Sequence, residues 1–96
     1  DAMGADFVTE LVNTFLDDAP NMIADLKQGA ADGEADVYRR AAHSIKSNAE
    51  LFGALPLTQR AREMELSGLP SSDAPISELE AVFAATAESL RGLLDD

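Results

Sequence analysis

The sequence predicts an all-α protein, an antiparallel up-down bundle of four helices. Apolar residues recur at steps of three and four along most of the chain, the spacing that lines one face of a helix. Ala and Leu dominate the apolar set and β-branched residues are few, a balance that favours helix over sheet. Glycine and proline breaks divide the 96 residues into four segments with short connections, which makes consecutive helices antiparallel neighbours.

The first helix is expected over about 6–29. Phe7, Val8, Leu11, Val12, Phe15, Leu16, Ala19, Met22, Ile23 and Leu26 form its stripe. Pro20 falls inside and removes one backbone hydrogen bond. The stripe keeps its phase across it, so the expectation is one helix bent near Pro20. Residues 29–33 read as the turn. The second helix is expected over about 33–52, with Asp32 as N-cap and Gly53 as terminator or close-approach point. Pro56 suits the first residue of a third helix, with Leu57, Ala61 and Met64 inward and an end near 67–68. After a loop, Pro75 opens a fourth helix whose stripe is Ile76, Leu79, Val82, Phe83, Leu90, Leu93 and Leu94.

This is one domain, residues 1–96, large enough for a single core. Its opening, Asp1-Ala2-Met3-Gly4-Ala5, suggests a domain excised from a longer chain. Acids number 18 and bases 7, for a formal charge of −11. That surface repels nucleic-acid phosphates and anionic lipid, so other proteins are the expected partners. Without cysteine, disulfides, zinc-thiolate sites and thiol catalysis are excluded. No apolar run approaches the roughly 20 residues of a membrane span. The expected state is a cytoplasmic monomer.

His43 is the only histidine. On a wheel starting from Val37, the apolar residues Ala41, Ile45 and Phe52 cluster between roughly 0° and 80°, and His43 falls near 240°. It stands among Lys46, Arg39, Glu50, Asp36, Ser47 and Arg40, on a polar face. Five of the seven bases (Arg39, Arg40, Lys46, Arg60, Arg62) lie between residues 39 and 62, where Glu50 is the only acid. An imidazole in cationic surroundings suits an anionic group. A hydrolytic triad finds no support, because Ser44 faces about 100° away and Ser47 has no evident oxyanion hole. One His with scattered carboxylates makes a poor metal site. Gly-rich phosphate cradles are absent. What remains is a histidine acting as a nucleophile toward a group delivered by another protein.

The stretch Ala42-His43-Ser44-Ile45-Lys46-Ser47-Asn48-Ala49, followed by Gly53-Ala54, Leu57, Ala61 and Met64-Glu65, resembles the signature of histidine-containing phosphotransfer (HPt) domains. Phe15, the Pro20 region and Leu26 are similar to the family's first long helix, so the resemblance covers nearly the whole chain. Ser47 and Asn48 depart from it, standing where the family has smaller residues. The resemblance implies a phosphorelay intermediate. His43 would accept and donate the phosphoryl group through Nε2, Lys46 would offset its charge, and Glu65 would hold Nδ1–H. Gly53 would permit close packing near the site. It further implies response-regulator receiver domains as partners, with a histidine kinase as a further one, and Mg²⁺ on the receiver. The chain would have no cofactor or ATP site of its own and would not be an enzyme in isolation. The competing readings are an interaction bundle without phosphotransfer and the dimerisation helices of a histidine kinase. The latter usually show an acid directly after the His and a nearby Pro, whereas Ser44 follows here and residues 45–55 contain no Pro.

Overall fold

The computed structural model describes the backbone of residues 2–94 and the side chains of residues 7–93. Residues 1–5, read above as an excised start, and Leu94 of the last stripe lie outside the described side chains. Four helices follow one another: α1 (Ala2–Asp32), α2 (Ala35–Leu51), α3 (Leu55–Ser67) and α4 (Ala74–Leu94). α1 packs on α2 and α4, and α3 packs on α2 and α4, so the helices close into a ring of antiparallel neighbours. The bundle measures 47 × 19 × 17 Å. Among the described residues no helix is long and apolar enough to cross a membrane.

One core joins all four helices. Val12, Phe15, Ile23 and Leu26 enter it from α1, Tyr38 and Ile45 from α2, Leu57 and Met64 from α3, and Ile76, Leu79 and Leu90 from α4. The Phe15 ring lies 5.3 Å from that of Phe52 and meets Phe83 edge-on at 5.9 Å. Such pairs add to plain area burial. Burial pushes the Tyr38 phenol above its ordinary pKa.

α1 is longer than its stripe predicted, and it continues through Pro20, which faces outward. An exposed proline leaves the freed carbonyl one turn back open to water. The first turns of the stripe are not core: Phe7, Val8 and Leu11 are exposed. Phe15 already packs beside Phe52, the residue that ends α2. Residues further toward the α1 N-terminus therefore have no α2 to pack on.

On α2 the buried residues are Tyr38, Ala41, Ala42, Ile45 and Ala49. Their centre lies near 100° on the wheel, rotated from the predicted one because α2 packs between α1 and α3.

Both early turns use the same device. Gly33 (φ 68°) follows α1 and Gly53 (φ 65°) follows α2, each in the left-handed region. After α1, Glu34 N–H donates to Gly29 O at 2.9 Å and Gly33 N–H to Ala30 O at 3.4 Å. After α2, Ala54 N–H donates to Ala49 O and Gly53 N–H to Glu50 O, both at 3.1 Å. These paired bonds form Schellman caps, which need a residue free to adopt positive φ.

Four expectations change. Asp32 is not the N-cap of α2; it is the last residue of α1, and Glu34 takes the cap position without a side-chain bond. Gly29 is inside α1, not in the turn. The close-approach glycine is Gly29 instead of Gly53. A Cβ at Gly53 would meet nothing within 4 Å, whereas one at Gly29 would lie 2.8 Å from the Tyr38 backbone nitrogen. Pro56 and Pro75 are each the second residue of their helices, one place later than predicted.

Gly29→Ala is therefore expected to lower stability, although alanine is the better helix former by about 1 kcal/mol. Overpacking against backbone costs about 1–3 kcal/mol and outweighs that gain. A thermal denaturation midpoint at or above wild type would contradict the close approach.

Candidate functional site

The α2–α3 hairpin turns at residues 52–54, so residues equidistant from the turn come side by side. His43 and Glu65 stand eleven positions before and after Ala54. His43 Nδ1–H donates to Glu65 Oε2 at 2.8 Å. Lys46, one turn further along α2, donates from Nζ to Glu65 Oε1, also at 2.8 Å. One carboxylate thus bridges two α2 side chains, one oxygen to each.

The three groups differ in exposure. The His43 side chain is 57 % exposed, Lys46 22 % and Glu65 16 %. Lys46 is the first cause holding the Glu65 carboxyl below the ordinary glutamate pKa of 4.5, ahead of the opposing effect of burial and then the His43 hydrogen bond. An ionised carboxylate only accepts hydrogen bonds, so in the neutral imidazole the proton is assigned to Nδ1. The Nε2 lone pair is left free on an exposed ring.

The predicted residues are thus sorted by the fold. His43, Lys46 and Glu65 come together. Gly53 does not join them, since it caps the far end of α2. Asn48 turns away from the imidazole: its Nδ2 donates to Ser44 O at 2.8 Å and lies 3.9 Å from Met22 Sδ on α1. Ser47 is exposed one turn beyond His43.

The basic stretch is partly neutralised. Arg39 pairs with Asp36 at 3.4 Å, and Arg60 pairs with Glu63 at 3.1 Å and Glu78 at 3.0 Å. Among the described residues no group of three or more His, Asp or Glu could hold a metal ion. The Lys46–Glu65 ion pair was not foreseen. Its signal was present in the three-residue spacing of His43 and Lys46, which puts both within reach of one acid on the next helix.

The sequence profile of the family described as Hpt domain matches residues 10–91 of the chain. No curated protein and no solved structure gives a significant match.

The bridge makes stability depend on pH with a definite sign. Because the folded-state pKa of Glu65 is lowered, its contribution is fully present above the ordinary value of 4.5 and is lost as pH falls through the lowered one. In Glu65→Gln that contribution is absent. The stability gap between wild type and variant should be open above the ordinary value of 4.5 and close as pH falls below it. Denaturant midpoints across that range check this, and a gap that stays constant would show that Glu65 is not held by the two bonds.

Proposed function

Because the chain belongs to the Hpt domain family, phosphotransfer modules of two-component signalling without an ATP site of their own, we propose that His43 is the phosphoryl carrier. In this reading it takes the group from, and returns it to, an aspartate of a response-regulator receiver domain. The observation that supports this most directly is the His43 Nδ1–Glu65 hydrogen bond at 2.8 Å beneath an exposed ring. It selects the tautomer in which the outward nitrogen is the nucleophile.

The step runs as an in-line displacement. The Nε2 lone pair forms a bond to the phosphorus of the receiver's aspartyl phosphate. The bond from phosphorus to the aspartate oxygen breaks, and that carboxylate leaves with the electron pair. The imidazole, which keeps its Nδ1 proton, becomes cationic. Glu65 then faces a positive ring with a negative oxygen already in place. Positioning and charge compensation dominate such transfers, so a folded helix face suffices for this half of the reaction. The receiver supplies the aspartate, and Mg²⁺ bound there supplies charge compensation for its phosphate. Lys46 adds positive charge one turn from the acceptor and keeps Glu65 ionised.

The test mixes the purified chain with a panel of phosphorylated receivers and Mg²⁺, and maps acid-labile, alkali-stable phosphate by mass spectrometry. Phosphate is expected on His43 and none in His43→Gln, which should fold normally because the imidazole is exposed. Phosphate retained by His43→Gln would refute His43 as the carrier, and no transfer from any receiver to a folded chain would move the reading to an interaction module.

Lys46→Ala should slow transfer by about ten- to a hundredfold, the worth of one charge-assisted hydrogen bond. Stopped transfer reactions timed by phosphate-affinity gels measure this. Unchanged kinetics would reduce Lys46 to a structural ion pair.

A further inference from the structure

The cationic groups around His43 are not equivalent. Lys46 is held by Glu65, Arg39 by Asp36, and Arg60 by Glu63 and Glu78. Arg40 on α2 and Arg62 on α3 make no ion pair among the described residues, and of the two only Arg40 shares the helix of His43. It is exposed and lines a shallow cleft between α1 and α2 with Met22, Asp25, Val37 and Ser44. Asp36, one turn before it, bonds Arg39 instead.

Lys46 and Arg40 are the residues three after and three before His43. They lie about 60° to either side of it on the α2 surface, Lys46 toward α3 and Arg40 toward α1. Residues so spaced have Cβ atoms about 5–6 Å apart. Helical side chains lean toward the N-terminus, so the imidazole leans over the turn that carries Arg40. Nδ1 is turned to Glu65 on α3. The two ring nitrogens diverge, and Nε2 therefore lies on the part of the ring away from α3.

Charge counting points the same way. A dianionic phosphoryl group on a cationic ring, with Glu65 negative and Lys46 positive, leaves one negative charge uncompensated. The guanidinium of Arg40 is the adjacent free cation on the same helix. Its planar fork matches two phosphoryl oxygens.

This inference rests on the reading of His43 as the carrier. We propose that Arg40 binds the phosphoryl oxygens on His43 Nε2, while Lys46 remains on Glu65. Arg40 would then stabilise the phosphorylated state and the approach to it, a part the resemblance gave to Lys46 alone.

The experiment uses phosphoramidate as a small donor, with no receiver present, so that partner docking plays no part. The His43 nitrogen forms its bond to phosphorus, the bond from phosphorus to the donor nitrogen breaks, and ammonia leaves. Arg40→Ala should phosphorylate about ten- to a hundredfold more slowly than wild type. Arg40→Lys should recover part of the rate. Arg91→Ala, which removes the same charge in the last turn of α4, should match wild type. In wild type the Arg40 Nε–H resonance should shift on phosphorylation, a readout that altered folding of a variant cannot imitate. Arg40→Ala at the wild-type rate, or an unmoved Arg40 resonance on a phosphorylated chain, would overturn the proposal while leaving His43 as carrier. A wild-type chain that takes phosphate neither from phosphoramidate nor from any receiver would instead overturn the reading beneath it.

Discussion

Glu65 sits largely out of water and must keep its charge there, and the site is organised around that requirement. An ionised carboxylate with little solvent needs partners for both oxygens. Here both partners come from α2, Lys46 for one oxygen and His43 for the other. The bridge therefore depends on the register of α2 against α3. That register in turn depends on the three residues between the helices. Gly53 adopts a left-handed conformation, which lets the chain reverse while the last carbonyls of α2 stay bonded. A slip of one residue would rotate Glu65 by about 100° and separate it from both partners.

The rest of the bundle supports this hairpin from behind. α1 approaches α2 closely where Gly29 meets the Tyr38 backbone, so two helices of very different length share a tight contact at one end. At the other end the Phe15, Phe52 and Phe83 rings close the core beneath the α2–α3 turn. A rigid floor under α2 matters to the imidazole above it. Its orientation is set by a single hydrogen bond and by the helix that carries it.

Electrostatics at the site differ from what the order of charges along the chain suggests. Residues 39–62 hold five bases and one acid. In space, acids from outside that stretch move in: Asp36 from the first turn of α2, Glu63 and Glu65 from the second half of α3, and Glu78 from α4. The result is a site close to local neutrality, with the positive charge unevenly committed. Among the described residues Arg40 is the cation on α2 that stays outside these pairs.

Much of this was legible in residue order, and the reasons are local. Amphipathic spacing is a property of each segment alone, so four helices, the outward face of His43 and the inward Leu57, Ala61 and Met64 could be read directly. The pairing of His43 with Glu65 came from the resemblance, not from spacing. Other features depend on which segments meet, and one-dimensional spacing does not record that. The stripe on α1 runs on through Phe7, Val8 and Leu11 because helical periodicity does not know where α2 ends. Gly53 does end α2 as its place in the sequence suggests, but the close approach falls at Gly29, because both are merely glycines in sequence. Only packing shows which one meets a backbone and which one turns the chain. For the same reason the sequence by itself determined the fold class and the exposed polar face that carries His43. Tertiary structure alone decided that Lys46 is already paired while Arg40 is unpaired among the described residues, because ion pairs form across helices between residues whose distance in the chain says nothing of their distance in space.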